Sequence, residues 1–354
     1  MVNVAAPKEE GNSITTAPKK KFVEGLTFLR GIAALCVCLY HFTGGALPKL
    51  RDPHIEMFFT NGWLGVDIFF VLSGFIIPYS LIGKGYGITD FVSYMKKRVV
   101  RINPPAYIAM ALVLMQGFFI DYVIAHKVTY TAGLSWGQII NNMLFTVPFS
   151  NYKWILGIFW TLAIEFQFYI IIGLAFRIMF DKFNIYVFAA IFLLLSFVQY
   201  LPFQSNENFF RFSPFFALGG AALLFYINKI DIKEYFILLF IFSLLTYFQL
   251  SFYMAITGLL SAIVISFARF THPVFDFMGK ISYSFYLLHV LIGTTCEYFF
   301  IKFIDPAIFI NKILILILCL FFAIIGSYIF YILVEKRFIA LASYISSKKI
   351  KSNH

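Results

Sequence analysis

The stretch Leu29–Phe42, LRGIAALCVCLYHF, is an apolar run with Arg30 near its start and His41 near its end. The two lie eleven positions apart, three turns and a few tens of degrees at 3.6 residues per turn, so both leave a helix on the same face. Arg30, Ala34, Val37 and His41 then form a stripe about 16 Å long at 1.5 Å rise per residue. With Arg30 at a water interface, His41 is carried to the middle of a bilayer, where an ionisable group is costly and marks function. A single His on an apolar helix also serves as a hydrogen-bonded packing residue, so the rest of the chain decides between the two.

The composition places this run in a membrane. Of 354 residues, 61% are hydrophobic and 13% charged, with a mean hydropathy of +0.84. Soluble domains carry about 25% charged residues, so most of this length is spans and short connections. The 47 Phe are packing and lipid-facing material. The net charge of +11 is dispersed over short segments between apolar runs, which reads as orientation signal, with no nucleic-acid partner implied. The first 25 residues are polar and lack the apolar core of a cleavable signal. Cys36, Cys38, Cys296 and Cys319 all sit in apolar runs, a pattern that implies neither a disulfide framework nor a metal site.

Working outward, apolar runs of roughly spanning length recur at 29–47, 63–82, 104–125, 154–176, 184–201, 212–227, 234–250, 253–268, 281–300 and 313–334. The fold class expected is an all-α integral membrane protein of about ten transmembrane helices. With ten spans both ends share one side, which holds 21 of the 28 Lys and Arg against 7 on the other. The positive-inside rule then puts both termini in the cytoplasm. The organisation expected is a cytoplasmic disordered tail over 1–25, a membrane domain over 26–338 and a basic cytoplasmic tail over 339–354. Between the second and third runs, Phe91, Tyr94, Met95 and Val99 recur at helical spacing opposite Lys96, Lys97 and Arg101. That pattern predicts an amphipathic segment lying in the membrane surface, with Pro104 and Pro105 opening the third span.

Ionisable residues inside the runs are the candidate site. Asp67 lies about four residues into the second run, with Ser73 and Gly74 deeper, a pair that small-residue helix packing explains. Glu165 lies near mid-membrane in the fourth, with Thr161 and Tyr169 on its face at i−4 and i+4. An unpaired carboxylate at that depth requires a bundle interior, a watery cavity or a cationic partner. Ser282, Tyr286 and His289 share one face of the ninth run at i, i+4 and i+7. Taken together, His41, Asp67, Glu165 and His289 point to one polar interior cavity.

These motifs resemble acyltransferase family 3, integral-membrane O-acyltransferases. The matches run in order from Leu26 to Phe338: LRGIAAL…YH with Arg30 and His41, GWLGVDIFFVLSGF, the RxxR motif at Arg98 and Arg101 followed by Pro104, WTLxxExxFY with Trp160, Glu165 and Tyr169, ISYSFYLLH, and the terminal Glu335-Lys336. Departures are Thr27-Phe28 where the family usually has Asp in the approach to the first helix, and Arg337 where it has Pro. No fused extracellular esterase-like domain is expected after the tenth span.

The resemblance implies transfer of an acyl group, by default acetyl, from cytoplasmic acyl-CoA to a hydroxyl of a glycan or glycolipid acceptor, in a bacterial inner membrane and without a metal. Arg98, Arg101, Lys97 and Arg30 would bind the donor, since guanidinium groups grip phosphate bidentately. His41 would take the acceptor proton, with Glu165 or Asp67 orienting it or binding acceptor. Trp160, Tyr169, Ser282, Tyr286 and His289 are expected in substrate or structural roles. Direct transfer and an acyl-histidine intermediate both fit. The competing class is a secondary transporter whose intramembrane charges form a proton or substrate site; it lacks the inverted repeat that many such folds show.

Overall fold

Residues 19–201, 207–268 and 272–352 are described by the computed structural model, which is helical with no strand among them. The helices are α1 (Lys19–His41), α2 (Pro53–Phe59), α3 (Gly65–Tyr79), α4 (Phe91–Phe119), α5 (Trp136–Met143), α6 (Phe159–Phe176), α7 (Ile185–Phe197), α8 (Phe209–Tyr226), α9 (Ile232–Gln249), α10 (Phe252–Phe267), α11 (Pro273–Phe300), α12 (Phe309–Phe330) and α13 (Lys336–Ser352). Each of the ten apolar runs contains one of the longer helices. Seven stretches among the described residues are long and apolar enough to cross a membrane: Gly25–Ala46, Pro53–Tyr79, Ile88–Ile124, Phe159–Asp181, Phe209–Tyr226, Ile232–Gln249 and Phe309–Ile345. The apolar stretches Ile185–Tyr200 and Phe252–Phe267 are shorter, and α11, 28 residues long, carries the polar stripe. The first 18 residues of the expected N-terminal tail lie outside the described residues, and Lys19–Gly25 belong to α1.

Between lipid-exposed helices the hydrophobic effect does little, so association rests on close packing. Two glycine contacts set the frame. A Cβ on Gly31 would meet the Phe275 carbonyl of α11, and one on Gly279 would meet the Thr27 carbonyl of α1. Likewise Gly74 of α3 lies on the Phe216 backbone and Gly219 of α8 on the Val71 carbonyl. Successive pairings of α1 with α11, Thr27 with Gly279, Arg30 with Ser282, His41 with His289 and Phe42 with Gly293, ascend both chains together, so the two helices run parallel. Around α3 and α8 the interior is aromatic, with Phe168 and Phe216 rings 4.3 Å apart and Phe209, Phe215 and Phe216 fully buried.

The structure departs from the sequence reading at α4. Phe91–Phe119 is one continuous helix through Pro104 and Pro105, where a surface segment and a separate span were expected. A proline removes one helix donor, but membrane bundles tolerate it where neighbours brace the freed backbone. The carbonyls that lose a donor are those of Val100 and Arg101, and next to them the Tyr283 hydroxyl of α11 donates to Ile102 O at 2.8 Å, tying this part of α4 to the bundle. The consequence is that Arg98 and Arg101 turn inward while Val99 is exposed. Helix α13 packs along α4.

At the opposite end from α13, two acids tie the connection after α1 to its neighbours. Glu297 Oε1 accepts from Lys49 N at 2.7 Å, and Asp52 pairs with Lys312 at 2.9 Å. That hydrogen bond from Lys312 holds the Asp52 carboxyl below its ordinary range. Asp121 organises a further loop, accepting from the backbone of Thr129, Tyr130 and Thr131.

Candidate active site

Two neighbouring chambers that share wall residues lie between α1, α3, α4, α6, α11 and α13. The inner one, about 130 Å³, is walled by Arg30, Ser73, Arg98, Arg101, Glu165, Tyr169, Ser282, Tyr283, Tyr286 and Glu335 among apolar side chains such as Val66, Phe70 and Leu162. The outer one, a vestibule of about 710 Å³, is bordered by Lys84, Asp90, Lys97 and the α13 residues Ile339, Ala342 and Ser343. Arg98 and Arg101 stand in the walls of both. Burial and the nearby Asp90 hold the Tyr86 phenol above its ordinary value at the vestibule edge, so it is a neutral donor, bonded to Gly173 O at 2.8 Å.

The charges of the inner chamber are held by neutral partners. Arg30 donates from Nε and Nη2 to Ser282 Oγ at 3.2 and 3.0 Å. Arg98 donates to Ser80 Oγ at 2.7 Å and lies over the Tyr94 and Tyr169 rings, 5.5 and 5.2 Å from their centroids. Glu165 accepts from the Tyr169 hydroxyl at 2.5 Å and from Ser73 at 3.2 Å. Glu335 accepts from Ser284 N and Oγ at 3.1 and 2.5 Å. Among the described residues none of these four groups, nor Arg101 beside them, is within ion-pair distance of another. Three guanidinium groups therefore face two carboxylates without direct neutralisation, leaving an excess of one positive charge for an anion.

Of the four ionisable groups expected around one cavity, only Glu165 borders it. Phe69 and Tyr286 line the chamber, and the Tyr286 hydroxyl shares a 2.9 Å hydrogen bond with Thr161. Behind Tyr286, 6.2 Å away between rings, lies His289, and His41 is 5.3 Å further on. The histidines form a second layer because two aromatic rings fill the level between. Asp67 is buried at 1% exposure off the chamber wall, with Oδ2 lacking a partner. Trp160, half-buried, packs on Phe70 and Phe212 away from the cavity. Of the remaining expectations, Arg30, Arg98, Arg101, Tyr169, Ser282 and Tyr286 do converge, and Lys97 borders the vestibule.

Two wall residues stand within the motifs quoted above but carry no site role in the sequence reading. Ser73, assigned to packing, holds Glu165. Glu335 sits in the π-turn Tyr331–Glu335, buried and aimed at the chamber. An acid closing the last apolar run was the available signal, since π-turns and intramembrane acids concentrate at functional sites. His41 likewise abuts a π-turn, Phe42–Ala46.

Seven stretches long and apolar enough to cross a membrane, packed around a buried Arg/Glu chamber, suggest an integral membrane protein. The chain belongs to acyltransferase family 3: the family model described as "Acyltransferase domain" matches residues 23–332. It is 32% identical over 165 residues to a Staphylococcus aureus (strain COL) protein provisionally named an O-acetyltransferase, covering 44% of this chain and 25% of that one. A Bacillus subtilis (strain 168) protein provisionally named a peptidoglycan O-acetyltransferase is 31% identical over 160 residues, 43% of this chain and 23% of that one. An Acidianus two-tailed virus protein provisionally named an acetyltransferase is 26% identical over 300 residues, 78% of this chain and 85% of that one. The match spans about a quarter of the length of the bacterial relatives. No solved structure matches the chain.

Proposed function

We propose that this protein is a membrane O-acyltransferase that moves an acyl group, by default acetyl, from cytoplasmic acyl-CoA to a glycan hydroxyl of the cell envelope. The observation that carries the reading is the pair of chambers sharing Arg98 and Arg101. The vestibule suits a nucleotide, with Lys97, Arg98 and Arg101 at its phosphates, while the inner chamber admits only a slender arm and a short acyl group. Arg30 and the apolar wall guide that arm. Ten crossings are taken from the apolar runs and a bacterial inner membrane from the family resemblance; the Lys and Arg asymmetry supports cytoplasmic termini and, with them, a vestibule open to the cytoplasm.

In this mechanism the thioester displaces Tyr286 from Thr161 and reaches the histidine layer. His41 takes the proton of the acceptor hydroxyl as its oxygen attacks the thioester carbonyl. The new C–O bond forms, the C–S bond breaks, and His41 returns the proton to the departing thiolate. Glu165, held by Tyr169 and Ser73, balances the guanidinium charge beside the reacting arm. A glycan acceptor is supported by the names of the bacterial relatives, one of them referring to peptidoglycan.

The test supplies radiolabelled acetyl-CoA to inside-out membrane vesicles carrying wild-type or His41→Ala protein and follows label into the envelope glycan fraction. Label that requires His41 is the expected result. Label only with another acyl-CoA changes the donor and keeps the class; transfer from no acyl-CoA overturns the enzyme reading in favour of transport.

A further inference from the structure

The layer behind Tyr286 contains a feature that the donor chambers do not use. His289, on α11, is 1% exposed, and its Nδ1 lies 3.1 Å from Phe285 O and 2.9 Å from Tyr286 O. A carbonyl only accepts, so Nδ1 carries the hydrogen, and a neutral imidazole then presents its lone pair at Nε2. That Nε2 is buried and has no hydrogen-bond partner. The ring of His41 lies 5.3 Å away between centroids, tilted by 37°. Around the pair stand the rings of Tyr40, Phe42, Phe285 and Tyr286, and among the described residues no carboxylate forms an ion pair with either imidazole.

An orphaned buried acceptor is costly, and the imidazole of His41, whose ring centroid is 5.3 Å away, carries an N–H that can satisfy it. Catalytic hydrogen bonds are often long before substrate binds and close to about 2.6–3.2 Å afterwards. His41 is half-buried and among the described residues no hydrogen bond fixes its ring, whereas His289 is held by two backbone carbonyls. We propose that His289 is a positioning residue: its Nε2 accepts the N–H of His41 and so fixes which His41 nitrogen keeps the lone pair that takes the acceptor proton. The role usually given to a carboxylate is filled by a second, neutral imidazole, which orients without bringing a charge into the apolar layer. This rests on the assignment of His41 as base.

Three substitutions separate positioning from mere bracing of α11. His289→Asn keeps an amide near the backbone carbonyls but puts nothing at the ε position; His289→Gln places an acceptor there; His289→Leu keeps bulk alone. Positioning predicts that kcat falls about 10²-fold in the Asn and Leu variants, with KM for the acyl donor unchanged, and that Gln recovers to within about tenfold of wild type. The reverse order, Asn active and Gln inactive, or a loss confined to KM, overturns the proposal.

A second measurement needs no substrate and no variant at 289. In protein labelled with ¹⁵N-histidine in lipid nanodiscs, the Nε2 resonance of His289 should report an unprotonated, hydrogen-bonded nitrogen and should shift in His41→Gln. A resonance unmoved by that change refutes the pairing. Wild-type protein inactive with every acyl-CoA would instead strike the functional reading, leaving the resonance result to stand by itself.

Discussion

Arg98 gives the sharpest test of the donor chambers, because its environment sets a graded series. Its guanidinium is oriented by the 2.7 Å bond to Ser80 and by two tyrosine faces, and it stands where vestibule and inner chamber meet. A hydrogen bond to a charged group contributes about 1.5–3 kcal/mol, so removing a two-pronged grip on phosphate in Arg98→Ala costs at least about 3 kcal/mol, roughly 10²-fold in affinity. Arg98→Lys retains the charge and one contact but loses the planar fork, about 1.5 kcal/mol or tenfold. Ser80→Ala removes only the orienting bond, about 1 kcal/mol or fivefold, since the tyrosine faces remain. The assay is calorimetric titration of purified protein in nanodiscs with acetyl-CoA, with thermal melting as a check on folding. The order Ala, then Lys, then Ser80→Ala, from weakest to strongest binding, is expected. Wild-type affinity in Arg98→Lys, or a larger loss in Ser80→Ala than in Arg98→Lys, would refute the claim that the oriented fork is what holds the donor.

Replacing His41 by Ala should lower kcat by about 10²–10⁴-fold while the calorimetric Kd for acetyl-CoA stays near wild type, because the guanidinium groups lie on the other side of Tyr286; a matching loss of binding would contradict that separation. Gly74→Leu would drive a side chain into the Phe216 backbone and should destabilise the protein by about 1–3 kcal/mol, seen as a lower melting temperature in detergent. Because Lys312 lowers the Asp52 carboxyl in the folded state, the tie contributes stability above the ordinary carboxylate pKa and loses it as pH falls through the depressed value. Asp52→Asn should therefore flatten the melting temperature against pH across that acidic window, and an unchanged profile would show the pair to be idle.

Much of the fold was legible because a membrane imposes length and hydropathy on each helix, so every apolar run found a helix. The stripe Ser282, Tyr286, His289 was also legible, since side chains at i, i+4 and i+7 must share a face, and the structure turns Ser282 to Arg30 and His289 to His41. What periodicity could not supply was the azimuth and depth of each helix relative to the others. Tyr286 and Phe69 occupy the level between Glu165 and the histidines, which divides the one expected cavity into a chamber and a layer. Asp67 faces away from the chamber although Val66 and Phe70 line it, a rotation decided by packing against neighbouring helices. The passage of α4 through two prolines was hidden because local propensity argues for a break, and the tertiary contacts that hold the helix, such as Tyr283 to Ile102 O, are distant in sequence.

The glycine contacts between α1 and α11 also carry a mechanical meaning. With Gly31 and Gly279 seated on the Phe275 and Thr27 backbones at one crossing and Gly293 under the Phe42 ring near the other end, the two helices touch closely at two heights, like bars fastened near both ends. At the Gly31 and Gly279 crossing neither helix can roll without a backbone collision, whereas beside His41 and His289 the contact is the Phe42 ring on Gly293, so there a side chain sets the spacing of the two imidazoles. At that crossing compliance must then come from the other wall, where α4 and α6 carry Arg98, Glu165 and Tyr169 on longer lever arms. Altered donor preference should therefore be reached by substitutions on α4 and α6, while the Gly31 and Gly279 crossing tolerates almost none.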